Sequence, residues 1–174
     1  MPKPVSETFK FCPNCGSASK TVGMSPFHCN ECEYGFYFSP ATAVGGIVTN
    51  QDDEILFLIR GRDPGKGQYG LPGGFVDANE TLEDSLTREV LEETSLKVTR
   101  VDYLCSFPNS YTYREVTVGV LDSFYVCEVE TFDSLKPQQG EVEGFHIAKA
   151  TNDVLDNMAF VSNRKAVEFF LKRG

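Results

Sequence analysis

The segment Glu80–Thr94 constrains this chain more than any other. It contains no Gly or Pro and is rich in helix formers, so it is predicted to be a helix. On a helical wheel Leu82 and Leu86 define an inward stripe with Val90 on its flank. Glu89 and Glu93 fall roughly 20° to either side of Leu82, and Glu92 about 80° round from it. Carboxylates therefore extend an apolar stripe at i, i+3 and i+4. Like charges at that spacing repel, and anions in a last helical turn oppose the macrodipole by about 0.3–1 kcal/mol each. Turning them inward adds desolvation. A divalent cation with a preference for oxygen ligands, such as Mg²⁺ or Mn²⁺, removes all three objections. The bland alternative is a solvated acidic face with Arg88 paired to Asp84 and Glu92.

Charge sharpens the choice. The net charge is −9, and between Glu80 and Glu93 six acidic residues face one basic residue, so more than half of the excess lies in this stretch. A chain this acidic has no clustered Lys and Arg with which to neutralise nucleic acid, and a phosphate substrate would need a cation to mediate.

Ahead of the helix, residues 61–74 hold six glycines and two prolines, which predicts a loop. Gly74, Glu80 and Arg88-Glu89-Val90-Leu91-Glu92-Glu93 stand at the spacing G-x5-E-x7-R-E-U-x-E-E. This tract resembles the Nudix box over 23 positions, Gly74 to Leu96, and its lead-in Gly67–Gly74 is also similar to that family's. One position departs: Ser95 stands where the family has a glycine that ends the helix in a left-handed conformation. The resemblance implies an α/β/α sandwich around a mixed sheet over residues 40–174. It further implies metal-dependent hydrolysis of a phosphoanhydride in a nucleoside diphosphate linked to another moiety, of the ADP-ribose or FAD type. Glu89, Glu92 and Glu93, with the Gly73 carbonyl, would hold Mg²⁺ or Mn²⁺. Glu80 and Arg88 would brace the loop and helix. In some relatives a glutamate ahead of the penultimate strand joins the site. Glu141 and Glu143 occupy that region, and an ordinary solvent-facing strand end describes them as well. The rival within the same fold is a sensor that binds nucleotide without cleaving it, but such proteins tend to lose the box carboxylates.

Cys12-Pro13-Asn14-Cys15 and Cys29-Asn30-Glu31-Cys32 give C-x2-C-x13-C-x2-C, close to zinc-ribbon spacing. Residues 11–39 are expected to form a ribbon around a closed, structural zinc, with His28 left outside the ligand set. Cys105 and Cys127 read as small buried hydrophobes. A ribbon joined to this box resembles NADH and ADP-ribose/FAD pyrophosphatases. Of the NADH-type tract S-Q-P-W-P-F-P-x-S only Ser106-Phe107-Pro108-Asn109-Ser110 remains, which disfavours NADH.

Elsewhere, residues 1–10 lack periodicity and are expected to be a loose tail. Ala41–Thr49 and Glu54–Arg60 read as a hairpin around Asn50–Asp53. Lys97–Phe107, Glu115–Glu130 and Val142–Ala148 read as strands, and Ser162 as the cap of a helix over Asn163–Lys172. Phe107, Asn109, Tyr111 and Tyr113, with Glu141, are candidates for holding a base, or are simply aromatics of a hairpin tip. Asp122 interrupts an apolar strand face, as a polar anchor near the site or as an inward Asp satisfied by amides. No apolar run approaches the ~20 residues of a membrane span. A cytoplasmic protein with a small nucleotide substrate is expected, and by family analogy a homodimer.

Overall fold

A computed structural model describes residues 1–173. The chain forms two compact units: Met1–Ala41 with Ser110–Val120, and Thr42–Asn109 with the chain from Leu121 on.

In the first unit, β1 (Lys3–Pro4) runs parallel to the start of a long strand, β8 (Val116–Val129), with Lys3 opposite Val116. A 3₁₀ turn over Val5–Thr8 follows, and the Phe9 ring then packs against Phe27, Phe36 and Phe38 at centroid distances of 4.7–5.5 Å. Residues 3–9 are thus ordered rather than a loose tail. One anchoring aromatic and a two-residue ladder leave no periodic signature in sequence. A short ladder pairs β2 (Phe27–His28) with β3 (Gly35–Phe36).

The second unit is built on strands covered on both faces. β4 (Ala41–Val48) is hydrogen-bonded to β8, which also pairs with β7 (Val98–Tyr113). β5 (Ile55–Arg60) lies between β6 (Tyr69–Gly70) and β9 (Val142–Ala148), antiparallel to each. The expected hairpin of β4 and β5 closes at a single bridge, Thr49 to Ile55, after which the strands part into different sheets. The Ile55–Leu58 run is buried continuously, as in a strand with two covered faces, and β6 and β9 take its edges. β7 and β8 form a true hairpin, whose turn residues Arg114 and Glu115 both have positive φ.

Alternation along the strands sorts the core into two layers. Leu56, Val44, Val48, Tyr125 and Cys127 pack on Leu86 and Val90 of α1 (Leu82–Thr94). Ile47, Ile55, Phe57 and Phe124 pack on Val154 and Leu155 of α2 (Asn152–Asp156), and on Ala166 and Val167 of α3 (Val161–Leu171). Helices on both faces give the α/β/α arrangement, with a parallel pair (β1–β8) making the β8 sheet mixed. Cys105 and Cys127 are buried as small apolar groups.

Helix α3 begins two residues earlier than its sequence suggests, at Val161 rather than Asn163, with Phe160 at the cap and no side-chain cap bond. Ser162 instead donates from Oγ to Asp122 Oδ2 at 2.5 Å, and Asn109 Nδ2 donates to the same oxygen at 2.9 Å. Asp122 is therefore an inward carboxylate satisfied by side chains, which a buried charge requires more than an exposed helix end requires a cap. Among the described residues no helix is long and apolar enough to cross a membrane.

Thr81 caps α1 by accepting from Asp84 N, and Ser95 ends it at φ 62°, its amide bonded to Leu91 O. A left-handed L-residue costs roughly 1–2 kcal/mol, most of which glycine avoids. Ser95→Gly is therefore expected to raise the unfolding free energy by about 1 kcal/mol, read by urea denaturation.

Candidate active site

The loop before α1 is zipped onto β4 by backbone bonds. Gly46 N donates to Pro72 O, Val44 N to Gly74 O and Val76 N to Thr42 O, at 2.8–3.0 Å. Between them Gly73 sits at φ 147°, where a Cβ would collide with the Val44 carbonyl oxygen and come within 2.8 Å of Gly45 Cα. No other residue fits. That conformation turns the Gly73 amide outward from the ladder, and it donates to Glu93 Oε2 at 2.8 Å. A Cβ on Gly74 would meet Glu89 Oε1 at 2.6 Å, so the loop is a cradle shaped to two carboxylates of α1.

Arg88 organises the rest. Its guanidinium grips Glu80 with both ends, Nε to Oε1 at 2.8 Å and Nη2 to Oε2 at 2.9 Å, and Nη1 donates to Glu89 Oε1 at 2.8 Å. Glu92 lies 3.5 Å from the same nitrogen, with a half-exposed side chain. Glu80 also accepts from Asp77 N, which ties the loop to the helix. The Arg88 bonds hold the Glu80 carboxyl down to about 2. Arg88 pairs with Glu92 as the bland reading had it, but its main partners are Glu80 and Glu89 rather than Asp84, which serves the helix cap.

Burial acts the other way on the remaining carboxylates. Glu93 is 9% exposed, and desolvation pushes its carboxyl up to about 8 against the opposing Gly73 bond, with the charges of Glu89 and Glu141 adding to the rise. Glu89 is raised for the same first cause, again with Glu141 among the charges acting on it. Glu141 thus belongs electrostatically to this cluster although it sits some fifty residues further along the chain. It is ion-paired with Arg62 at 2.7 Å, while Glu143 meets Lys66 at 3.4 Å. The carboxylates do not converge on a common point: Glu93 is turned to Gly73, Glu89 to Arg88, and Glu92 toward solvent. Their carboxylate oxygens, two of the three raised in pKa first by desolvation and then by neighbouring carboxylates, suit a hard divalent cation.

The aromatic candidates are not a loop. Phe107, Asn109, Tyr111 and Tyr113 all lie in β7. Phe107 packs on the core, with Lys165 Nζ 5.9 Å from its ring, and Asn109 is committed to Asp122. Tyr111 and Tyr113 belong to the first compact unit, and Tyr113 is exposed beneath Arg114. Spaced two apart, these four side chains share one face of the strand, and they are divided along its length, Phe107 and Asn109 in the second unit and Tyr111 and Tyr113 in the first. Two further contributors carried no sequence signal: Arg62, and Asn163, whose Oδ1 accepts from Leu71 N at 3.1 Å and so steadies the loop from α3.

In the first unit the sulfurs of Cys12, Cys15, Cys29 and Cys32 all lie within 4.8 Å of one another, with Cys12–Cys32 and Cys15–Cys29 at 3.7 Å. Four thiolates ~2.3 Å from a tetrahedral zinc stand about 3.8 Å apart, so the set fits one ion and none of its pairs is a disulfide. Each knuckle closes through a left-handed residue, Gly16 (φ 73°) and Glu33 (φ 60°), with amide-to-carbonyl bonds Gly16 N–Cys12 O and Glu33 N–Cys29 O. The Ser17 hydroxyl, 3.4 Å from Cys29 Sγ, is foremost in drawing that thiol down to about 6.

Raising Glu93 favours its neutral form in the folded state, so its contribution to stability is present below about pH 4.5 and lost as pH rises through about 8. In EDTA, Glu93→Gln is expected to melt with wild type near pH 4.5 and several degrees above it at pH 9. Parallel melting curves across that range would contradict the assignment.

A family model described as NUDIX domain matches residues 39–166. An ADP-ribose pyrophosphatase of Methanocaldococcus jannaschii is 47% identical over 64 residues, 37% of this chain and 37% of that protein. A NAD-capped RNA hydrolase NudC of Vibrio vulnificus is 32% identical over 139 residues, 79% of this chain and 50% of that protein. The chain thus matches half or less of the length of these curated relatives. A crystal structure of a NUDIX hydrolase from Nitrosomonas europaea superposes with a TM-score of 0.67 at 21% identity, covering 94% of this chain and 91% of that one. With Glu93 and Glu89 seated against the Gly73–Gly74 loop and the family model spanning most of its length, the chain belongs to the NUDIX family.

Proposed function

We propose that this protein is a pyrophosphohydrolase that cleaves the phosphoanhydride of a nucleoside diphosphate joined to another moiety, with ADP-ribose as the leading substrate. The observation that carries this reading is Glu93, a buried carboxylate held by the Gly73 amide at the end of a helix that also presents Glu89 and Glu92. Those three glutamates and the Gly73 carbonyl would hold Mg²⁺ or Mn²⁺. When bound, such an ion neutralises the diphosphate and lowers the pKa of the attacking water. Glu80 and Arg88 keep the helix and its loop in register, a bracing role with no contact to substrate. Arg88 also restrains Glu89, so its charge offsets the repulsion that three carboxylates would otherwise exert.

The relative in Methanocaldococcus jannaschii supports ADP-ribose by its name, and the Vibrio relative supports an NAD-type end. The residual Ser106–Ser110 tract and the absence of tryptophan favour the former. The four cysteines would hold a structural Zn²⁺ with no position left for water.

The test is a panel of ADP-ribose, FAD, NADH, dinucleoside polyphosphates and NAD-capped RNA, with Mg²⁺ or Mn²⁺, reading release of AMP or of decapped RNA. ADP-ribose is expected to turn over fastest, and tight binding with no hydrolysis would make the protein a sensor. Glu93→Gln should leave a folded protein with turnover lost by more than a hundredfold, whereas activity within tenfold of wild type refutes the role. Elemental analysis of natively purified protein should find one zinc per chain, absent from a Cys12→Ser/Cys29→Ser variant.

A further inference from the structure

Residues 69–76 reach the carboxylate cradle between two supports. On the edge of β6 away from β5, Tyr69 N donates to Asn157 O at 3.0 Å and Ala159 N donates to Tyr69 O at 2.8 Å, a parallel bridge centred on Met158. Alternate amides of an extended chain point to the same edge, so the next donor on that side is Leu71 N. There the opposite chain has already turned into α3, capped by Phe160. Leu71 N donates instead to the side-chain oxygen of Asn163 at 3.1 Å. A carboxamide on the first turn of a helix thus stands in for the next rung of a backbone ladder. Pro72 has no amide to offer, so Leu71 is the last donor toward α3 before Gly73. From Pro72 on, the carbonyls of residues 72 and 74 answer to β4.

The stem that carries this oxygen is fixed. Ser162, beside it, is 1% exposed and bonded to Asp122, and Ala166 and Val167 on the next turn are fully buried. Leu71 is itself buried, so removing the acceptor leaves its amide unsatisfied unless the backbone shifts. Gly73 lies too close to the Val44 carbonyl for a sideways move, and a shift at Leu71 is absorbed by rotation of the peptide groups on either side of Gly73. We propose that Asn163 is a positioning residue for the metal site. By holding Leu71 it sets the angle at which the chain enters Gly73, and so places together the amide that binds Glu93 and the carbonyl that would face the cation. The part concerning the carbonyl rests on the hydrolase reading above, whereas the coupling of Asn163 to the Gly73 amide does not.

The test compares Asn163→Ala with Asn163→Asp, which keeps an acceptor oxygen, and with Val167→Ala, which truncates the core face of the same helix. In Asn163→Ala the Gly73 amide is expected to exchange with solvent at least tenfold faster relative to the Phe57 amide of β5, read by NMR without added divalent metal. Mn²⁺ titrated alone should bind several-fold more weakly. On the panel substrate that wild type cleaves fastest, kcat should fall at least tenfold with KM within about twofold, the mark of a misplaced reacting centre rather than lost substrate binding. Asn163→Asp should restore the exchange ratio to within about threefold of wild type, because the acceptor is retained. Val167→Ala should lower the melting temperature and leave the exchange ratio, the Mn²⁺ affinity and kcat within about twofold. An unchanged exchange ratio in Asn163→Ala, the same change in Val167→Ala, or faster exchange with Mn²⁺ affinity intact overturns the proposal. A wild-type protein that hydrolyses no member of the panel fails the hydrolase reading, and the exchange ratio and Mn²⁺ affinity then still decide the role of Asn163.

Discussion

The site depends on one hydrogen bond, from the Gly73 amide to the buried Glu93 carboxylate. Withdrawing a carboxylate from water is unfavourable by several kcal/mol unless donors replace the lost hydration. One backbone amide, aimed by a φ that only glycine tolerates, supplies part of that replacement. It can do so only because residues 72–76 are laddered to β4, which carries the loop on the same strand whose Val44 and Val48 pack against α1. Helix, loop and strand are therefore mutually positioned: α1 is seated by Leu86 and Val90, the loop by β4, and Glu93 closes the triangle.

The charges around that bond are only partly compensated. Arg88 is shared among Glu80, Glu89 and Glu92, and one guanidinium cannot neutralise three carboxylates. Glu80 takes the best geometry and is driven well below the usual carboxylate range, while Glu89 and Glu93 are raised. Environments that push neighbouring carboxyls apart mark functional sites more often than structural ones. The division also explains why the box contains an arginine at all. It grips the Glu80 end of the acidic run and reaches Glu89, and leaves Glu93 outside its hydrogen bonds.

Much of this was legible in the sequence because it is local. The period of Leu82, Leu86 and Val90 defined the helix, its glutamates broke the rule that charges avoid an apolar stripe, and the cysteine spacing defined the ribbon. What sequence reasoning missed is non-local or depends on strand geometry. Ser162 looked like a helix cap because Ser before an apolar run usually is one, but a buried Asp122 forty residues away claimed its hydroxyl. Phe107, Asn109, Tyr111 and Tyr113 read as candidates for a base or as aromatics of a hairpin tip, and they prove to share one face of a single strand, with Tyr111 and Tyr113 in the first compact unit. Arg62 carried no pattern, since its ion-pair partner Glu141 is brought beside it only at the end of the β5–β9 pairing. The departure at Ser95 proved harmless to the geometry: the residue adopts the left-handed conformation that the family's glycine would take.

The first compact unit shows the complementary problem, that of too little core. Its one buried cluster around the cysteines consists of Cys12, Phe27 and Cys29, two of which are metal-binding in character. Such a segment cannot offset its chain entropy by burial alone, and structural metals serve that need in small folds. Two further devices supplement the cysteines. Phe9 gathers Phe27, Phe36 and Phe38 into one aromatic cluster, and β1 ties the N-terminus in parallel to Val116 and Thr117 at the tip of the β7–β8 hairpin. That hairpin is sixteen and fourteen residues long on its two sides, about three times the usual strand length. Its length follows from this arrangement, because a hairpin ending with the second unit's core would leave β1 without a partner. Beyond Asn109 the hairpin belongs to the first unit, where Tyr111 and Tyr113 lie on β7 and Val116 and Thr117 of β8 give the N-terminal segment an edge on which to fold.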